Sequence, residues 1–173
     1  YRLVLRGVTY YFVENDVYFM RGKLYGCHDD GARFAFFSKA VCESIRFLDW
    51  MPDIVHCNDW QTALVLFYLR DKVLKNPALR PIRTVFTIHN VEYQGDFSYQ
   101  TLTDVFGLSG VLFSQGTLEL DGNVNLMKGA IEIADCVTTV SPSYAEELAA
   151  PDASGLLSQV IADHDVVGIR NGI

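Results

Sequence analysis

The sequence has 173 residues, of which 50% are hydrophobic and 20% charged, a composition typical of one globular domain. The formal net charge of −7 disfavours nucleic acid or an anionic membrane surface as a partner, but it leaves open a neutral polymer or an anionic nucleotide held locally. The longest apolar run, around residues 65–69, is far shorter than the roughly 20 residues that span a bilayer.

The four cysteines show no C-x-x-C pair and no spacing typical of a zinc site or a disulfide framework. His56 and Cys57 are neighbours on a predicted strand, so their side chains point to opposite faces. We therefore predict no metal site, and reduced thiols in a bacterial cytoplasm or a plastid stroma.

At the N-terminus, residues 1–5 and 8–13 are β-branched and aromatic and predict a β-hairpin. Apolar residues at three- and four-residue spacing predict an amphipathic helix over residues 30–47. Residues 93–121 are predicted to form a long functional loop with short helical pieces. The other predicted elements are a strand at 53–57, a helix at 62–74, a strand at 82–88, a helix at 123–134, a strand at 136–140, a helix from Ser141-Pro142, a helix at 155–162 and a strand at 166–169.

This alternation of strands and helices predicts an α/β fold: a doubly wound, Rossmann-like parallel sheet with an N-terminal β-hairpin. In such sheets, ligands bind outside the carboxyl ends of the strands. Polar residues follow these ends, and we expect one crevice lined by Asp59, His89, Asn90 and Asn171. Ser141 is better explained as a helix N-cap. The alternative without a ligand site is a Rossmann-like domain whose polar strand-end residues are only helix caps.

The predicted crevice suits a ligand with many hydroxyl groups, because carboxylate, amide and imidazole groups together donate and accept hydrogen bonds. Trp60, Tyr93 and Tyr25 offer flat faces for sugar rings, although core packing explains Trp60 and Tyr93 equally well. His28 and His164 lie away from the strand ends and are predicted to be structural or exposed. No G-x-G-x-x-G, P-loop or G-x-S-x-G motif is present.

Five segments of the sequence resemble, in order and spacing, consecutive blocks of the N-terminal domain of bacterial glycogen synthases and plant starch synthases. The resemblance implies one half of a two-domain GT-B architecture in a retaining glucosyltransferase. Such enzymes move glucose from ADP-glucose or UDP-glucose to the non-reducing end of an α-1,4-glucan. The segments are DIVHCNDWQ at 53–61, TVFTIHNVEYQG at 84–95, NLMKGA at 125–130, ADCVTTVSPSYA at 134–145 and VGIRNG at 167–172.

The resemblance also implies roles for single residues. His89 matches a histidine that contacts the donor glucose at the reaction centre, and Asp59 matches an aspartate of the same pocket. It implies a reaction without metal ion or cofactor. The family commonly has histidine where this chain has Asn58 and Gln61, which leaves open the contacts to the acceptor and the groups that support the binding residues. The residues implied to bind substrate are Tyr25, Asn90, Tyr93, Gln94 and Asn171.

The resemblance places a glycine-rich lysine loop before Tyr1, and the nucleotide-binding residues in a second, C-terminal domain. Residues 1–173 are thus expected to form part of the N-terminal catalytic domain, the acceptor-side half of the active cleft, and to be inactive alone. The expected partners are an α-glucan, a sugar nucleotide and the C-terminal domain. The donor nucleotide and the oligomeric state stay open.

Two alternatives to this function remain. Another two-domain glycosyltransferase, of the sucrose or trehalose type, is disfavoured by the Y-Q-G sequence after His89-Asn90. A glucan-binding homologue without catalysis is kept open by the departures at Asn58 and Gln61.

Overall fold

The computed structural model describes residues 1–79, 81–151 and 153–172. The predicted N-terminal hairpin is present, with β1 (Arg2–Leu5) antiparallel to β2 (Val8–Tyr11). Arg6 and Gly7 both have positive φ, as a two-residue type I′ turn requires. A short helix that the sequence did not predict, α1 (Asp16–Phe19), follows the hairpin.

The predicted helix at 30–47 is α2 (Asp30–Ser44), which tightens into a 3₁₀ turn at Ile45–Phe47. Its first turn buries an ion pair between Asp30 and Arg33. The guanidinium of Arg33 also donates from Nε to the carbonyl of Tyr18 at 2.7 Å. A buried charge needs both its counter-charge and hydrogen bonds. Because Tyr18 of α1 accepts one of the hydrogen bonds of Arg33, the ion pair links α2 to α1.

From residue 54 onwards, the chain alternates between strands and helices, and the order of the elements is as follows. They are β3 (Ile54–Asn58), α3 (Trp60–Lys75), a 3₁₀ turn at Pro77–Leu79, β4 (Arg83–Ile88), β5 (Asp96–Phe97), α4 (Tyr99–Asp104), α5 (Val111–Ser114), β6 (Glu119–Leu120), β7 (Asn123–Asn125), α6 (Leu126–Ile133), β8 (Cys136–Thr139), α7 (Pro142–Ala149), α8 (Leu157–Ala162) and β9 (Val166–Gly168).

The predicted α/β fold with a parallel sheet is confirmed. The sheet has the strand order β3-β4-β8-β9, and every neighbouring pair is parallel. Because each crossover leads to the next strand in the same direction, right-handed connections place their helices on one face. Helices α3 and α6 pack side by side there, and α8 packs on α6.

The core lies between that face of the sheet and its helices. Cys57, Phe86 and Val137 are partners in register across three strands, and all three are buried. The opposite face carries Ile54 and Val167, both exposed. Within the described ranges, no helix is long and apolar enough to cross a membrane.

One predicted helix was wrong at its start. The helix expected over 123–134 begins only at Leu126, because Asn123–Asn125 forms β7 and Asn125 is the N-cap. Val124 pairs with Phe97 on one side and with Glu119 on the other, which gives the antiparallel order β5-β7-β6. Strands of two or three residues are too short to show a period of two, so this small sheet was not predicted.

The carboxylate of Asp135 joins the end of α6 to the start of β4. It accepts hydrogen bonds from the Arg83 guanidinium, the Thr84 amide and the Thr84 hydroxyl, each at 2.8 Å. Burial raises the pKa of Asp135, but the bonds from Thr84 and Arg83 outweigh burial and leave this pKa below its ordinary value. The ionised carboxylate therefore stabilises the fold.

Asp135→Ala is expected to lower the free energy of unfolding at pH 7 by about 1 kcal/mol, since the side chain is partly exposed and solvent screens it. A depressed pKa contributes stability above the ordinary value of 3.8 and loses it as pH falls through the lower, folded-state value. Urea unfolding between pH 7 and pH 2 should thus show the two curves converging below about pH 4. Glu146→Ala, at an exposed carboxylate of α7, is the control; a pH-independent difference at Asp135 would contradict the prediction.

Candidate active site

The structure brings Asp59 and His89 together at the carboxyl edge of the sheet. Asp59 follows β3 and His89 follows β4, and the Asp59 Oδ1 atom accepts a hydrogen bond from the His89 backbone N–H at 2.8 Å. The backbone N–H of Asp59 donates in turn to the Thr87 carbonyl at 3.0 Å. The ring of His89 meets Asn58, with Nε2 at 3.0 Å from the amide Oδ1. Two consecutive residues of one strand end thus hold the backbone and the ring of His89.

The backbone of Asp59 is strained. Its φ of 55° and ψ of 176° lie in a region that is essentially restricted to glycine. Asp59 is the N-cap of α3, yet its side chain makes no capping hydrogen bond to that helix. The carboxylate is directed to His89 instead, at a cost of about 1–3 kcal/mol in backbone strain. Strain of this kind is typical of functional sites.

The strain predicts an unusual order of stability among variants. Asp59→Ala removes the carboxylate and keeps the strain, whereas Asp59→Gly removes both. We expect Asp59→Gly to be more stable than Asp59→Ala by about 1 kcal/mol, although glycine usually destabilises relative to alanine. Thermal unfolding of the two variants checks this order; an alanine variant at least as stable would contradict the strain at this position.

Asn90 and Asn171 lie at the same edge of the sheet and are both exposed. The Oδ1 atom of Asn90 accepts from the Glu92 backbone N–H at 2.9 Å, which shapes the start of the loop after β4. Asn171 follows β9, and β8 separates β9 from β4. Among the hydrogen bonds of the described residues, none joins Asn171 to His89 or Asp59. The four predicted crevice residues therefore share one edge, and within the described ranges only Asp59 and His89 among them are joined by a hydrogen bond.

The structure also pairs Tyr25 with Tyr93. Their ring centroids are 5.8 Å apart at an interplanar angle of 65°, an edge-to-face arrangement. The two side chains are 47% and 50% exposed, so both present ring surface to a ligand. Trp60 differs, because it is only 7% exposed and packs on Phe34 and Phe97. The core interpretation of Trp60 is therefore the right one.

The side-chain amide of Gln94 is engaged inside the chain. Its Nε2 donates to the Val91 carbonyl at 3.1 Å, and its Oε1 accepts from Asn125 Nδ2 at 2.8 Å. Asn125 is fully buried and donates also to the Asp96 carboxylate at 2.8 Å. Gln94 thus takes part in holding residues 89–97, which we call the site loop.

The N-terminus of α6 anchors the site loop. The backbone N–H groups of Leu126 and Met127 donate to the carbonyls of Gly95 and Gln94 at 3.1 and 3.0 Å. These are first-turn donors that have no partner inside the helix. Asn125 opens the NLMKGA block and has the side chain of a good N-cap, but its place at the site is not evident from the sequence. Its contacts to the site loop depend on tertiary structure.

Asp96 is the titratable group of this anchor. Partial burial raises the pKa of Asp96, and the hydrogen bond from Asn125 opposes that effect without cancelling it. A raised acid pKa favours the protonated form in the folded state, so Asp96 lowers the stability of the fold as pH rises from the ordinary value of 3.8 through the raised, folded-state pKa.

A cavity of about 490 Å³ lies beside Tyr25. Its wall is mainly apolar and includes Phe34, Phe37 and the side chain of Gln61. His89 and Asp59 do not line it. Gln61 thus lines this cavity, whereas Asn58 contacts the His89 ring.

Three potential metal ligands, Cys27, Asp29 and Asp30, lie close together in the described part of the chain. Each of the two carboxylates already has an arginine as its counter-charge. Asp29 accepts two hydrogen bonds from Arg21, at 2.8 and 2.6 Å, which lower the pKa of that carboxyl, and Asp30 pairs with Arg33. These groups are therefore explained as ion pairs.

The parallel sheet and its polar edge define a Rossmann-like α/β domain with a candidate site at the strand ends. The catalytic domain of starch synthase IV from Arabidopsis thaliana, solved with ADP and acarbose bound, superposes on 99% of this chain with a TM-score of 0.87 and 35% identity. The match covers 36% of that chain. The chain belongs to the starch synthase catalytic domain family, whose sequence pattern matches residues 1–163.

Curated bacterial relatives carry the name glycogen synthase. The protein of Anoxybacillus flavithermus is 43% identical over 169 residues, which are 96% of this chain and 35% of that protein. The protein of Desulfitobacterium hafniense is 45% identical over 174 residues, which are 99% of this chain and 37% of that protein. The chain thus spans about a third of the length of these relatives, and the resemblance seen in its sequence is confirmed.

Proposed function

We propose that the protein containing this chain is a retaining glucosyltransferase. It transfers glucose from ADP-glucose or UDP-glucose to the non-reducing end of an α-1,4-glucan, in glycogen or starch synthesis. The observation that carries the proposal is the contact of Asp59 and Asn58 with His89, within a chain of the starch synthase catalytic domain family. The ADP and acarbose bound to the Arabidopsis relative fit a nucleotide donor and a sugar-like acceptor.

In this proposal, His89 contacts the donor glucose and Asp59 holds the backbone of His89 in place. The paired rings of Tyr25 and Tyr93 offer their exposed surface to a sugar ring. Asn90 and Asn171 supply hydrogen bonds at the same edge. Gln94 acts through the site loop, because both ends of its amide already have partners within the chain.

The reaction is a substitution on one face of the sugar. The bond from the donor C1 to the diphosphate oxygen breaks, and the acceptor hydroxyl oxygen bonds to C1 from the same face, which preserves the α configuration. The hydroxyl proton passes to the departing diphosphate. The proposal includes no metal ion or cofactor, as the resemblance implies.

The rest of the protein supplies the partner half of the cleft. The chain accounts for about a third of its relatives' length, and we infer that a further domain holds the nucleotide. Residues 1–173 alone are then expected to bind glucan weakly and to transfer nothing. The proposed compartment is a bacterial cytoplasm or a plastid stroma.

The test follows labelled glucose from ADP-glucose and, separately, from UDP-glucose into glycogen, with the complete protein. Incorporation from either donor supports the proposal and identifies that donor. A folded protein that binds glucan but transfers from neither donor would instead be a glucan-binding homologue. Transfer to fructose or to a glucose phosphate, but not to glycogen, would indicate a sucrose- or trehalose-type enzyme.

A further inference from the structure

Asn58 is fixed beside the ring of His89 by its own strand end. Its backbone N–H donates to the Thr62 hydroxyl at 2.6 Å, and that hydroxyl donates to the Asn58 carbonyl at 2.8 Å. Asn58 also pairs in register with Thr87, two residues before His89. The Asn58 Oδ1 atom therefore lies 3.0 Å from His89 Nε2 on a backbone that is held on both sides.

The chemistry of this contact determines where the ring carries its proton. The structure places the Asn58 amide oxygen toward the ring, and an amide oxygen only accepts hydrogen bonds, so in this arrangement the facing ring nitrogen carries the hydrogen. In the neutral imidazole the other nitrogen, Nδ1, is then an acceptor. For Nδ1, no partner is found among the residues that the structure describes, and the His89 side chain is exposed.

We propose that Asn58 is a positioning residue for the reaction: it holds His89 as the Nε2–H tautomer and leaves Nδ1 free to accept a hydrogen bond from a hydroxyl of the donor sugar. This inference rests on the proposed function for the identity of the ligand. It does not rest on that function for the tautomer, which is inferred from the contact with Asn58 alone.

The same chemistry predicts which residues can replace Asn58. A histidine there offers an unprotonated ring nitrogen that accepts the same hydrogen bond. Asparagine and histidine are thus interchangeable at this position, whereas an apolar residue of similar size is not. Asn58→His is the conservative variant, and Asn58→Leu removes the acceptor.

The first readout is the tautomer of His89, measured by long-range ¹H–¹⁵N NMR on the complete protein with ¹⁵N-labelled histidine, at a pH where the ring is neutral. His89→Gln identifies the signal. We expect a protonated Nε2 and an unprotonated Nδ1 in the wild type, and a mixture of tautomers in Asn58→Leu. A protonated Nδ1 in the wild type, or an unchanged signal in Asn58→Leu, would overturn the proposal.

The second readout is kinetic. Asn58→Leu is expected to lower kcat about tenfold, the effect of roughly one hydrogen bond, with little change in the donor KM, and Asn58→His should recover most of it. Asn123→Leu, at an exposed position of β7, is the matched control. If Asn58→Leu unfolds, Asn58→Ala replaces it. Equal losses in the leucine and histidine variants would overturn the proposal.

The two proposals fail in different ways. The wild-type protein could transfer no glucose and still show the Nε2–H tautomer, lost in Asn58→Leu. That result would contradict the proposed function and support the positioning of His89 by Asn58. If the wild-type protein is active but its His89 tautomer is unchanged in Asn58→Leu, the inference is contradicted and the proposed function is supported.

Discussion

Replacing His89 with alanine is expected to lower kcat for glucosyl transfer by about 10³-fold, because contacts that strengthen in the transition state act on turnover more than on affinity. The fold should stay intact. The His89 ring is exposed and bonds only to Asn58 among the described side chains, and the backbone N–H that Asp59 accepts survives the change. We expect the free energy of unfolding to change by no more than about 0.5 kcal/mol.

The measurement is initial-rate incorporation of labelled glucose into glycogen by the complete enzyme, with thermal unfolding in parallel. His164→Ala is the matched control, since His164 lies near the end of α8 and its Nδ1 bonds the Val160 carbonyl at 2.7 Å. That variant should lose some stability and keep its kcat. A His89→Ala enzyme within threefold of the wild-type kcat would remove His89 from the reaction centre.

Gly95→Ala is expected to lower the free energy of unfolding by about 2–5 kcal/mol, by two additive causes. The φ of Gly95 is +74°, where a Cβ atom costs roughly 1–2 kcal/mol. A Cβ there would also lie 2.7 Å from Trp60 Cε3, and Trp60 is held between Phe34 and Phe97. Relieving such an overlap in a packed core costs about 1–3 kcal/mol.

The same change should reach the site, because the Gly95 carbonyl accepts from Leu126 at the start of α6. A shifted Gly95 moves the site loop that follows His89, and we expect kcat to fall together with stability. Urea unfolding and the glycogen assay measure the two effects. Gly22→Ala is the control, because no atom lies within 4 Å of the added Cβ. Unchanged unfolding in Gly95→Ala would contradict both the backbone strain and the overlap with Trp60.

The sequence was sufficient to predict the parallel sheet and the position of Asp59 and His89 at one edge of it. Both results follow from local patterns, since short apolar strands are followed by polar residues that the topology brings to one edge. The contact of Asn58 with the His89 ring could not be read in the same way. It depends on the register between β3 and β4, which is set by packing across the whole sheet.

Other features required the fold itself. Trp60 could be assigned to the core only when Phe34 and Phe97, far apart in sequence, were found against it. The role of Asn125 in holding the site loop has the same origin, because Gln94 lies 31 residues away in the chain. Neither contact leaves a local periodic signal that a sequence pattern would reveal.

The strained backbone of Asp59 has a consequence for how this protein would respond to directed evolution. A screen that rewards heat tolerance alone favours replacements that relax the main chain, and a change from Asp59 to glycine is one of them. Such lineages would survive the screen without the carboxylate that holds the His89 backbone. Thermostable libraries should therefore be screened in every round for the glucosyl transfer proposed above, with position 59 kept constant.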